Sequence, residues 1–184
     1  MSESDDSFDF DGYIESQAKN LEDLVVELKL PNNSGPRQKW LELVFQINLF
    51  AFSLALELRA LSRNKLSGFA RKVTLRGLVH ILYEFDVALR SHFLLHVEEC
   101  ARNNGMPFDR SAAQHARIEW KADFRVVRKW EKVRNQTTGH FGDGALDTVS
   151  EIESLESTVI AKAAISVMQY LILLLSNSFV EKEA

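Results

Sequence analysis

Proline occurs at only three positions, Pro31, Pro36 and Pro107, and glycine at only eight, so long stretches of this chain contain nothing that forces a helix to stop. Apolar side chains make up 46% of the 184 residues. That is enough to build one domain around a real core, and the length is too short for two comfortable domains. The pattern predicts an all-α protein, a bundle of four to five long helices, with no strand of convincing length and no internal repeat.

The breakers that do occur are clustered, and the clusters set the expected boundaries. Residues 1–12 hold Glu3, Asp5, Asp6, Asp9 and Asp11 with little to bury, and predict an acidic flexible leader. A single helical domain is expected over residues 13–180, followed by a short tail, 181–184. Within the domain, Ile14, Leu21, Leu24, Val25 and Leu28 recur near helical spacing, and a first helix is expected from about Tyr13 to Leu30. Pro31 to Pro36 form a turn. The second helix, about Arg37 to Asn64, is apolar nearly all the way round its middle and is expected to be central. A third is expected from about Leu66 to Asn103, stopped by Asn104-Gly105-Met106-Pro107. A fourth, capped by Asp109 or Ser111, runs to Gly139, and a fifth from about Leu146 to Phe179.

The single Cys100 has no internal disulfide partner, and the chain begins with Ser, Glu and Asp where a secretory signal would be basic and then apolar. A cytoplasmic location is expected. The apolar runs Leu43 to Leu58 and Ala161 to Leu175 are interrupted by Gln46, Asn48 and Glu57 and by Lys162, Ser166 and Gln169. A membrane span wants about 20 uninterrupted apolar residues, so both runs read as core helices and no membrane partner is expected. The net charge of −4 excludes a generically basic nucleic-acid binder and leaves a local patch to be sought by position.

Turning each residue of the fourth helix by about 100 degrees places Trp120, Phe124, Val126, Val127, Trp130 and Val133 on one arc. Arg117, Lys121, Arg125, Arg128 and Lys132 form a separate basic stripe, a candidate track for an RNA backbone, although Glu119, Asp123 and Glu131 intervene around the helix. Arg134 falls inside the apolar arc. A charge there is costly without a carboxylate, a phosphate or a wet cleft to meet it, and Glu84 or Asp86 would serve as a structural partner.

Arg134 also opens the segment Arg134-Asn135-Gln136-Thr137-Thr138-Gly139-His140-Phe141. A permanent cation, an amide and a titratable imidazole within two turns are the parts of a site that cleaves phosphodiesters. Imidazole takes and gives protons near neutral pH, while guanidinium keeps its charge and grips two phosphate oxygens at once. That chemistry needs no metal and no cofactor. An Arg followed by a polar residue, then a His a few residues on, in an all-helical context, resembles the HEPN family of helical ribonucleases. The wording Val133-Arg134-Asn135 leading to Gly139-His140-Phe141 strengthens the likeness.

The resemblance implies a helical bundle that forms a homodimer, with two motifs facing one another across a cleft that takes RNA. It implies that His140 acts in proton transfer as a ribose 2'-hydroxyl attacks the adjacent phosphate, leaving a 2',3'-cyclic phosphate. Arg134 then stabilises charge on the phosphoryl oxygens, and Asn135 orients a phosphate or its motif neighbours. Lys121, Arg125, Arg128 and Lys132 are the candidate RNA contacts beside these three. Toxin action with an antitoxin or regulatory partner, antiviral defence and stress-linked RNA cleavage are all roles within the family. The toxin branch usually carries a Tyr two residues after the His, where this chain has Gly142, and regulation through that tyrosine is not expected.

Other chemistry lacks its residues. His92, His96 and Glu99 have a spacing that suits metal ligands on a helix, yet no Cys pair or Glu-x-x-His repeat supports them, and no metal site is expected. No glycine-rich phosphate loop, paired-carboxylate site or partnered nucleophile is present. The rival reading is a non-catalytic helical module that binds a partner or oligomerises through Trp120, Phe124 and Trp130.

Overall fold

The computed structural model describes residues 9–137 and 145–179. Among the described residues the protein is all-α, with four long helices, α1 (Phe10–Leu28), α2 (Pro36–Arg63), α3 (Gly68–Arg90) and α9 (Ser157–Phe179). Five shorter ones complete it, α4 (Phe93–Asn103), α5 (Arg110–Glu119), α6 (Lys121–Arg128), α7 (Glu131–Thr137) and α8 (Ala145–Glu153). The long helices form the bundle, and the short ones wrap α3 and α9.

Helix starts follow local chemistry. The Asp9 carboxylate accepts a hydrogen bond from the Gly12 amide, capping α1 three residues ahead of its expected start, and Asp11 pairs with Arg59 and Arg63 on α2. The last acidic residues of the expected leader are thereby part of the fold. Gly35, at φ 64°, turns the chain into α2, whose first residue is Pro36. Asp109 caps α5 by accepting from the Ala112 amide at 2.9 Å.

Three expected helices are divided. The third breaks at Ser91 and His92, where His92 takes a left-handed conformation at φ 65°. Neither residue is a strong breaker. The break lets α3 lie against α6, α7, α8 and α9 while α4 turns to meet α2 and α5, with Phe93 edge-on to Phe85 at 6.3 Å. The fourth is cut at Trp120 and at Lys129-Trp130, and the fifth between α8 and α9. Curving in short pieces keeps Phe124, Val127, Trp130 and Val133 all buried, which a straight rod on a small bundle could not do.

The hub is α3, which packs on α2, α4, α6, α7, α8 and α9. The second helix was expected in that place, but α2 leaves Leu49 43% and Leu56 38% exposed, so one side of its apolar girth is not covered by the described residues. Both α2 and α9 are long and apolar enough to cross a membrane by length and composition alone, and half of each apolar window is buried inside the bundle. At the centre of the core, Tyr170 is ringed by Phe85, Trp120 and Phe124 at 5.6 to 6.4 Å between centroids.

Candidate active site

Arg134 lies in the last turn of α7, directly after the fully buried Val133. Burial of Trp130 and Val133 against the bundle fixes how α7 lies, and the next residue on the helix emerges at the rim of the core. There the guanidinium meets Glu84 of α3. Both Nε and Nη2 of Arg134 lie 2.8 Å from Glu84 Oε1, and Nη1 donates to Asn135 Oδ1 at 3.0 Å. The demand for a partner that the apolar arc placed on Arg134 is met by this carboxylate. Asp86 turns the other way, into the core, and meets Arg90 at 2.9 Å and Arg128 at 3.4 Å.

The Arg134 and Glu84 side chains keep 38% and 42% of their exposure. The pair is therefore hydrated and anchored at once. Its Coulomb energy is modest in so wet a setting, and its geometric effect is large, because two of the guanidinium's donor edges are fixed by Glu84 and Asn135. A guanidinium held at the surface in this way can receive a phosphate oxygen without first being ordered, which is the electrostatic half of a phosphodiester-cleaving site. His140, expected to supply proton transfer, lies outside the described residues, in the segment that directly follows α7.

The basic stripe keeps only part of its expected form. Its five residues belong to three helices, Arg117 on α5, Lys121, Arg125 and Arg128 on α6, and Lys132 on α7. Lys121, Arg125 and Lys132 are exposed, whereas Arg128 is shared with the buried Asp86 carboxylate. Arg128 therefore has a structural duty as well. Of the aromatic face in the rival reading, Phe124 and Trp130 keep 4% and 9% exposure, and Trp120, half buried, meets Tyr170 edge-on. No group of three metal-ligating side chains gathers among the described residues, and His96 lies instead within 4.0 Å of the buried Cys100 Sγ. Burial pushes the Cys100 thiol up, with Lys39 lowering it and Glu99 raising it.

One feature beside Arg134 is not visible in any motif. Between α2 and α3 runs an open groove of about 340 Å³, walled by Leu49, Phe50 and Ile81, with Gln46, Ser53, His80 and Glu84 as its polar lining. Its linear trace is the spacing of Gln46, Leu49, Phe50 and Ser53, which sets them on one face of α2, and the interval of four between His80 and Glu84 on α3. The α2 wall comes from a run that reads as buried core.

Comparison with protein-family models, with curated proteins and with solved structures returned no match.

Proposed function

We propose that this protein is a metal-independent endoribonuclease of HEPN type, acting as a homodimer with a composite cleft for RNA. The observation that carries the reading is the Arg134 guanidinium, clamped by Glu84 and Asn135 yet half open to solvent, at the end of the helix that leads straight into His140. In the proposed reaction His140 acts as the general acid or base while a ribose 2'-oxygen attacks the adjacent phosphorus. The 2'-hydroxyl gives up its proton to a base as a new P–O bond closes the 2',3'-cyclic phosphate, the P–O bond to the 5'-oxygen breaks, and the departing oxygen takes a proton from an acid, His140 serving one of these two transfers. Charge gathering on the two non-bridging oxygens is what Arg134 would neutralise. Lys121, Arg125 and Lys132 would extend the field along the strand.

The reading places the protein in the cytoplasm, in toxin action or antiviral defence, where an antitoxin or other regulatory protein would keep the cleft closed. Its test is incubation of wild type, Arg134→Ala and His140→Ala with a mixed-sequence RNA in EDTA, each protein checked for folding by circular dichroism. Wild type should release fragments ending in 2',3'-cyclic phosphate. Loss of general acid or base catalysis is worth roughly 10² to 10⁴ in rate, so both variants should fall close to background. Equal cleavage by all three proteins would mark a contaminating nuclease and defeat the proposal.

A further inference from the structure

The groove between α2 and α3 is lined in part by the same Glu84 side chain that holds Arg134, so whatever phosphate Arg134 receives has this groove as its neighbour. Its volume lies at the lower end of the range for small-ligand pockets. Its walls are apolar and aromatic, while three side chains with mixed donor and acceptor capacity sit along it. Phe50 is half buried and braced from behind by Phe85, with ring centroids 5.0 Å apart, so its remaining face is a fixed platform. Ser53 donates its hydroxyl proton to the Leu49 carbonyl at 2.8 Å, leaving oxygen lone pairs to accept from a ligand. Gln46 is exposed at the mouth and offers both an amide donor and an acceptor.

His80 adds the most specific sign. Its Nδ1 is shut off from solvent and has no hydrogen-bond partner among the described residues, a costly state for a ring nitrogen. Rotation about χ2 is the movement that would bring this unmet capacity to an incoming ligand.

We infer that the groove is a nucleobase subsite, which stacks the base beside the scissile phosphate on Phe50 and reads its edge with His80, Ser53 and Gln46. The inference rests on the ribonuclease reading and deepens it by giving the site a means of choosing among bases. A flat apolar slot with a single aromatic platform suits a planar heterocycle, since every base has a face that stacks, and the polar lining meets the edge that stacking leaves free. The Glu84 carboxylate on the lining repels a second phosphate, which favours a nucleotide with its base in the groove and its phosphate at Arg134.

The test is a binding measurement that does not depend on cleavage. The four nucleoside 3'-monophosphates and inorganic phosphate are titrated into protein carrying ¹⁵N-labelled histidine, and the His80 ring resonances, assigned with His80→Gln, are followed. Stacking is worth enough to predict that at least one nucleotide binds roughly tenfold or more tightly than inorganic phosphate, moving the His80 signals where inorganic phosphate does not. Phe50→Leu, which removes the aromatic platform and keeps an apolar wall, should abolish most of that advantage, with a thermal melt reporting separately on the fold. If no nucleotide outbinds inorganic phosphate, or if folded Phe50→Leu keeps the advantage intact, the subsite is refuted. RNA cleavage without nucleotide preference would overturn this inference and spare the nuclease. Nucleotide binding in the groove without cleavage would uphold the subsite and overturn the nuclease.

Discussion

Replacing Glu84 separates the anchoring of Arg134 from support of the fold. The carboxylate touches the guanidinium at 2.8 Å, but both side chains are about two-fifths exposed, so the Coulomb attraction is largely screened. An ion pair in such a setting contributes about 0.3 to 1 kcal/mol. For a chain of 184 residues that corresponds to a fall in Tm of roughly 1 to 4 °C for either Glu84→Ala or Glu84→Gln. Catalysis should respond quite differently. Glu84→Gln keeps an oxygen that accepts from Arg134 and should retain kcat within about threefold, whereas Glu84→Ala frees the guanidinium and should lower kcat roughly 10- to 100-fold, the cost of misplacing a catalytic group by about an ångström. The KM should change little, because loss of the competing carboxylate favours phosphate binding while disorder of Arg134 opposes it. Initial rates on a fluorogenic RNA, with melts by circular dichroism, read both effects, and Glu84→Ala should be silent in an Arg134→Ala background. A wild-type rate for Glu84→Ala would refute the positioning argument. A Tm fall beyond about 6 °C would make Glu84 chiefly a structural residue.

Three further perturbations have defined outcomes. Charge reversal at Lys121, Arg125 and Arg128 should weaken RNA binding at low salt and flatten the plot of log affinity against log salt by about 2, taking roughly 0.7 per lost single-strand phosphate contact; an unchanged slope removes the stripe from the interface. Asp86→Ala should cost about 2 kcal/mol, because it removes the buried carboxylate on which Arg90 and Arg128 converge, and urea titration that finds no loss would show that the cluster is dispensable. Burial raises the Tyr170 hydroxyl from its ordinary value of 10 to about 12, Arg117 lowering it slightly, and that hydroxyl has no hydrogen-bond partner among the described residues. The folded state therefore holds this proton more tightly than the unfolded chain, and stability present below pH 10 should be lost as pH rises toward 12, by about 3 kcal/mol at most. Tyr170→Phe should abolish that alkaline loss and be neutral or stabilising at pH 7; an alkaline melt identical to wild type would refute it.

The class of fold was legible because its causes are local. Scarce prolines and glycines, apolar residues at helical spacing and breakers gathered at Pro31 to Pro36 and at Gly105 to Pro107 act within a few residues of themselves, and no tertiary context was needed to read them as helices and turns. Caps are equally local, and Asp109 was legible as a helix start. The need of Arg134 for a partner was legible too, since a cation between Trp120 and Trp130 on a helix face has to be answered by something.

Where helices break, and what lies across from what, had no such local cause. Ser91-His92 and Lys129-Trp130 carry no strong stop signal. The chain bends there because buried faces on successive turns must meet different neighbours, a constraint that exists only once the bundle is assembled. The choice of Glu84 over Asp86 for Arg134 turned on a separation of two residues on α3, which points one carboxylate to the rim and the other into the core. The groove beside it arises where the described residues leave α2 uncovered, so its Leu49 and Phe50 read as core in the sequence and become a surface only through packing. Sequence fixed the helices and the chemistry of Arg134, because both follow from side chains and nearest turns. Tertiary structure decided the partners and the cleft, because these depend on residues 50 positions and more apart being brought to within 3 Å.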